Sequence, residues 1–173
     1  MSVMDLFCST CGAAHVDHTY PMTCAECSAV TWGSPTGVVL VLQRARFGIG
    51  RRGLLMARRA IEPHKGGWAF MGGHVNRGES LEQAACREWE EETGRIITPG
   101  CLEFMGSHPV AGGAQTMAVF RNQWILTSGH YNRLRLCPEN LEFGLLTEYE
   151  QIADLCFPTH RAVAEQCFNE CWF

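Results

Sequence analysis

Glu88, Glu91 and Glu92 stand at i, i+3 and i+4, with Arg87 directly ahead of them. On a helix the three carboxylates share one face, about 5–6 Å apart. Like charges at that spacing repel. A hard divalent cation such as Mg²⁺ or Mn²⁺, which takes oxygen ligands, turns the repulsion into binding. Arg87 can hold a neighbouring carboxylate in a fixed orientation through its planar guanidinium. Glu90 lies in the same acidic run but points elsewhere and reads as solvated. A solvated acidic helix face is the alternative for the whole run, and the glutamates alone do not decide between the two.

A second group of ligand-type residues lies near the start of the chain: Cys8-Ser-Thr-Cys11, twelve residues, then Cys24-Ala-Glu-Cys27. Each CxxC can turn two thiolates toward one ion, and two such knuckles complete the tetrahedron of a structural zinc. Gly12 gives the first knuckle a flexible backbone. The apolar residues of this segment, Val16, Tyr20, Met22, Val30 and Trp32, are too few to fold it by burial. A structural zinc contributes about 10–16 kcal/mol to such a unit. The rival readings are a redox dithiol and a pair of disulfides. A redox CxxC stands alone between a strand and a helix, and that context is missing here. His15 and His18 are read as exposed loop histidines, since four cysteines fill the site and leave no open position for catalysis.

The surrounding elements must position these groups. Val38 to Leu42 is an apolar run of buried-strand type. A loop with Gly48, Gly50 and Gly53, carrying Arg51 and Arg52, leads to a second strand through Leu54–Ala57. Gly66 to Glu79 is a glycine-rich turn. Ser80 and Gln83 then form a capping box, Leu81, Ala84, Ala85 and Trp89 an apolar stripe, and Gly94 a C-terminal cap. A further strand is expected through 114–126, and a final helix carries Val163, Cys167, Phe168 and Cys171 as core.

From Gly73 the fixed positions run glycine, five residues, Glu79, seven residues, then Arg87-Glu88-Trp89-Glu90-Glu91-Glu92-Thr93-Gly94. This resembles the Nudix box at every fixed position, in the expected strand, turn and helix setting. The resemblance implies an α/β (α+β) fold, a mixed β-sheet sandwiched between helices. It implies hydrolysis of a diphosphate linkage with Mg²⁺ or Mn²⁺ as catalytic cofactor. By the same resemblance Glu88, Glu91 and Glu92 bind the metal with the Gly72 carbonyl, Arg87 orients them, and Glu79 is a metal or supporting residue. The general base is then Glu88 or a later glutamate, Glu139 or Glu142. Met71 replaces the usual proline before the glycine pair, and Arg95 replaces an apolar residue after Gly94. The whole order resembles small Nudix proteins with an N-terminal zinc ribbon, here residues 1–32, followed by a Nudix domain at 33–173.

Substrate residues are read outside the box. Ser107-His-Pro109 lacks most of the mark of the NADH-cleaving branch, and Pro109 is placed as in the ADP-ribose branch. An ADP-containing substrate (ADP-ribose, FAD or NAD(H)) is expected. Trp68 or Phe70 is a candidate to stack on a base, the alternative being core packing, and Arg58 a candidate to hold phosphate. Removal of a nucleotide cap from RNA, with the ribbon and the arginine-rich 44–59 region gripping the strand, is the alternative activity. A non-catalytic nucleotide sensor, its ribbon docking a partner, is the alternative from another class, and the intact box argues against it. A homodimer is compatible with all three.

Composition bounds the rest. With 173 residues, 46% hydrophobic, 18% charged and a net charge of −4, the chain is neither a disordered acidic tail nor a polyanion binder held by net charge. No run reaches the length of a membrane span. Residues 1–10 lack the pattern of a secretion signal, so a cytoplasmic setting with reduced thiols is expected.

Overall fold

The computed structural model describes residues 6–16, 19–170 and 172, and the chain forms two compact units, Met1–Pro35 and Thr36–Phe173. His18 and Cys171, named above, lie outside the described residues.

The first unit has two short antiparallel strands, β1 (Met22–Thr23) and β2 (Val30–Thr31), with Met22 opposite Thr31. Its two cysteine knuckles are built alike. Gly12 N–H donates to the Cys8 carbonyl at 2.8 Å, and Ser28 N–H to that of Cys24 at 2.9 Å. Gly12 and Ser28 both have positive φ, 77° and 59°, so the second knuckle makes its turn without glycine. Among the described residues of this unit only a few side chains are buried: Cys8, His15, Met22 and Cys24. His15 corrects the expectation of an exposed loop histidine, being 7% exposed with its Nε2 unpartnered. Val16, Tyr20, Val30 and Trp32 stay exposed, so burial alone does not hold this unit together.

The second unit is built on a seven-stranded mixed sheet. β3 (Thr36–Phe47) lies at its centre, parallel to β8 (Gln115–Leu126). Along its other edge β3 pairs antiparallel with two partners in turn. The first half meets β6 (Met71–His74), and the second half meets β4 (Arg51–Arg59). Beyond Leu54, β4 takes β5 (Trp68–Ala69) on that side, and on its far side it pairs with β9 (Asn140–Leu146). β7 (Leu102–Val110) closes the other end against β8.

Alternation along β3 explains its unbroken apolar run. Val39 and Val41 face one cluster with Ala84, Ala85 and Trp89 of α1 (Leu81–Thr93). Leu40 and Leu42 face a second with Ile152, Leu155, Val163, Ala164 and Cys167, the last three on α3 (Pro158–Asn169). A short helix, α2 (Ser128–Tyr131), lies between β8 and β9. The sheet is therefore covered by helices on both faces, the mixed-sheet sandwich expected.

Two sequence expectations change. Gly53 is a buried residue inside β4, and Arg51 and Arg52 pair with Phe47 and Arg46, so the loop is only 48–50. A Cβ at Gly53 would strike the Leu146 carbonyl: this glycine permits close strand approach and does not mark a loop. On α1, Leu81 is exposed, and the buried stripe is Ala84, Ala85, Trp89 and Thr93. The stripe runs into the last turn because Thr93 Oγ1 donates back to the Trp89 carbonyl at 2.6 Å.

Candidate active site and cysteine cluster

Both ends of α1 are fixed by local chemistry. Ser80 Oγ accepts from Gln83 N–H at 3.2 Å, and Ser80 N–H donates to Gln83 Oε1 at 2.8 Å. At the other end Gly94, with φ 66°, donates its N–H to the Glu90 carbonyl at 2.8 Å. The helix lies beside β6, and the two glycines of the turn allow different close approaches, Gly72 that of β3 and Gly73 that of the helix. Gly72 has φ 150°, and a Cβ there would strike the Val39 carbonyl. A Cβ on Gly73 would stand 2.5 Å from the Glu88 carboxyl carbon.

Arg87 is the centre of the polar network. Its Nε donates to Glu79 Oε1 at 2.7 Å, Nη1 to Glu88 Oε1 at 2.8 Å and Glu91 Oε2 at 3.0 Å, and Nη2 to the His74 carbonyl at 2.8 Å. One guanidinium therefore ties three acidic side chains of the box to the glycine turn. Its hydrogen bonds, helped by the Asn76 N–H, hold the Glu79 carboxyl down at about 2, so Glu79 is ionised at neutral pH. Burial raises Glu88, and Arg87 opposes that rise.

Glu92 is held separately. Its Oε1 accepts from Gly72 N–H at 3.1 Å and its Oε2 from the Asn140 amide at 3.3 Å. Burial pushes this carboxyl up to about 7; those two hydrogen bonds oppose the rise, and the charges of Glu88 and Glu139 add to it. Carboxylates raised chiefly by burial, with the charge of Glu139 adding to both Glu88 and Glu92, form a donor set of hard oxygens short of positive charge, which fits a divalent cation. The glutamates are not gathered onto one point, however. Among the described residues, only the four cysteines form a group whose ligating atoms all lie within 4.8 Å of one another.

In that group Cys8 Sγ stands 3.6 Å from Cys27 Sγ, and Cys11 Sγ 3.6 Å from Cys24 Sγ. A tetrahedral zinc with Zn–S bonds of about 2.3 Å sets its sulfurs about 3.7–3.8 Å apart. All four are free thiols, and the cluster fits a zinc ribbon.

The remaining named residues are dispersed. Glu142, on β9, ion-pairs with Arg58 at 3.1 Å, and Arg58 Nε donates to the Gly66 carbonyl at 2.8 Å. Glu139 lies in the loop before β9, and its charge reaches both Glu88 and Glu92. Phe70 is buried in the cluster under α3, its ring 5.7 Å from His160. Trp68 packs against the same cluster and overlies Gly144, where a Cβ would meet the indole at 2.8 Å. Core packing thus accounts for Phe70, while Trp68 is half-buried. Pro109 is exposed on β7, opposite Thr116. Asn140 was missed by sequence reasoning, because nothing in a lone asparagine 48 residues from Glu92 marks it as a partner.

A mixed sheet between helices, with a glycine turn feeding an acidic helix organised by one arginine, defines a Nudix domain. The family model for the NUDIX domain matches residues 33–153, and the chain belongs to this family. Among its relatives, the NAD-capped RNA hydrolase NudC of Photobacterium profundum is 34% identical over 117 residues, 66% of this chain and 41% of the relative. NudC of Vibrio vulnificus is 31% identical over the same length. The chain spans about two fifths of the length of the curated relatives it matches. Among solved structures, a NUDIX hydrolase from Nitrosomonas europaea superposes with TM-score 0.65 at 24% identity, covering 95% of this chain and 90% of that one. The NUDIX domain of Shewanella oneidensis NrtR, solved with ADP ribose, gives TM-score 0.63 at 17% identity over 80% of this chain and 89% of that one. At these identities the two structures speak for the fold alone. Among the described residues no helix is long and apolar enough to cross a membrane.

Proposed function

We propose that this protein is a metal-dependent pyrophosphohydrolase that cleaves the diphosphate linkage of an ADP-containing nucleotide. The observation that carries the reading is the Arg87 network, which ties Glu79, Glu88 and Glu91 to the glycine turn while Gly72 N–H and Asn140 hold Glu92. Glu88, Glu91, Glu92 and the Gly72 carbonyl would hold Mg²⁺ or Mn²⁺. Such an ion supplies neutralised phosphate charge and an acidified water. The chain's own part is to fix the carboxylates, keep Glu79 ionised and offer a base. Glu139 is the base we favour, since it adjoins Asn140, whose amide donates to Glu92, whereas Glu142 is engaged with Arg58. The cysteine tetrad would hold zinc as scaffold, in a ribbon we place at residues 1–32 ahead of a catalytic domain at 33–173. A cytoplasmic setting, which keeps thiols reduced, suits the free cysteines.

The test is turnover of ADP-ribose, FAD and NAD(H) with Mg²⁺ and with Mn²⁺. Glu91→Gln and Glu92→Gln should each lower kcat by about a hundredfold or more while leaving the fold intact. Unchanged turnover in both variants would overturn the mechanism. A second reading, cap removal from RNA, is favoured by the NudC relatives, which are NAD-capped RNA hydrolases. A capped oligomer that competes no better than its free dinucleotide would remove it.

A further inference from the structure

At the C-terminal end of α1 an open pocket of about 410 Å³ is lined by Gly94, Arg95, Asn132, Arg133, Leu134 and Arg135. Three of its six lining residues are arginines. Among the described residues, none of the three guanidinium groups makes an ion pair or a hydrogen bond; Arg95, Arg133 and Arg135 are bonded only through their backbone N–H groups. All three are exposed.

Their position is fixed by the fold. Arg135 N–H donates to the Thr93 carbonyl at 2.9 Å, and a Cβ on Gly94 would stand 3.0 Å from the Arg135 Cβ. Leu134, between the two loop arginines, packs into the core under α1. The loop is therefore pinned on both sides of Arg133 and Arg135.

The negative end of the helix dipole favours a cation there, but that attraction falls off within the last turn. It accounts for one arginine and not for three converging on one concavity, where they repel one another. An anion in the pocket relieves that repulsion. Thirteen of the chain's fourteen basic side chains are arginine, with Lys65 the exception, and guanidinium forks match phosphate oxygens in pairs. Residues 132–140 link the pocket to the candidate active site, because Asn140 at the end of this segment donates to Glu92. Residues 1–35 contain neither lysine nor arginine, so the lysine and arginine side chains of this sequence that could grip a strand all belong to the second unit.

We propose that Arg95, Arg133 and Arg135 form a phosphate site for the strand of a nucleotide chain that extends beyond the diphosphate being cleaved. The proposal rests on the pyrophosphohydrolase reading and narrows its substrate to one attached to single-stranded RNA. The probe is a fluorescent, uncapped five-nucleotide adenylate RNA, with anisotropy read across a salt series, and free NAD hydrolysis measured in parallel.

The wild type should bind with salt-dependent affinity. Arg133→Gln/Arg135→Gln should weaken binding about tenfold or more and flatten the salt slope by about 1.4, at about 0.7 per lost phosphate contact. Arg133→Lys/Arg135→Lys, which keeps the charge but loses the fork, should retain the salt slope of the wild type while binding more weakly than it and more tightly than the glutamine variant, and NAD hydrolysis should be unchanged in both variants. Equal RNA binding by the wild type and the glutamine variant, or no binding by the wild type, overturns the proposal. So does displacement of the RNA by AMP at equal phosphate concentration, which would assign the pocket to a mononucleotide. NAD and the other free nucleotides remaining uncleaved would count against the underlying hydrolase reading instead, so the two failures are distinct.

Discussion

Glu92 and His160 each accept a hydrogen bond from a backbone N–H of the glycine turn. Glu92 meets the Gly72 N–H and His160 the Phe70 N–H, two residues apart on the same turn. Phe70 N–H donates to His160 Nδ1 at 3.1 Å, so that nitrogen is unprotonated in the folded chain. Burial, with Arg59 nearby, pushes His160 down to about 3 from its ordinary 6.5. Between those values the unfolded chain takes up the proton and the folded chain does not. The contribution of His160 to stability is therefore complete above about 6.5 and is lost as pH falls toward about 3. Urea midpoints measured from pH 7 to pH 4 should fall more steeply for the wild type than for His160→Gln, and parallel curves would refute the assignment. At this scale the sequence was legible where spacing carries meaning. The box glutamates and Arg87 could be read because helical periodicity puts them on one face. Asn140 and His160 could not, because each meets a partner far away in the sequence.

At the scale of elements, α1 is the piece on which the site depends, and its ends are written in local chemistry. Ser80, Gln83 and Gly94 could be read as caps without tertiary information because their partners lie within four residues. Ser80→Ala should cost about 1 kcal/mol of stability. Thermal unfolding checks this, and a loss within error would mean that packing under Ala84, Ala85 and Trp89 makes the cap redundant. The β3–β4 hairpin was less legible. Gly48, Gly50 and Gly53 look alike in sequence, yet only Gly53 is buried against β9. A glycine needed for close approach and a glycine needed for a turn leave the same letter. The aromatic residues of the glycine turn posed the same difficulty, since alternation places Trp68 and Phe70 on one face but does not say what covers it. The covering cluster comes from residues 152–167, far along the chain.

For the whole molecule, the two units depend on different sources of stability. The larger has two apolar clusters on either side of a sheet, whereas the smaller buries little beyond Met22, His15 and two of its cysteines. Metal analysis should find about one zinc per chain, and Cys8→Ser/Cys24→Ser should lose it and make residues 1–35 the first target of limited proteolysis. Protease resistance unchanged in the metal-free variant would show that the ribbon holds without an ion. The Cys-x-x-Cys spacing made this unit readable from sequence, whereas the arginine pocket was not, because Arg95 and Arg133–Arg135 are separated by 37 residues and meet only when the loop closes on Gly94.

β7 is one edge strand of the described sheet, β9 being the other, and unpaired strand edges recruit further strands into aggregates. Two features blunt that of β7. The ladder to β8 shifts register between Phe104 and Gly106, and Pro109 removes one amide donor. A bulge and a proline on one nine-residue strand interrupt the repeat that sheet-to-sheet growth requires. Pro109, first noticed as a candidate nucleotide contact, thus also breaks the run of amide donors along a rim strand.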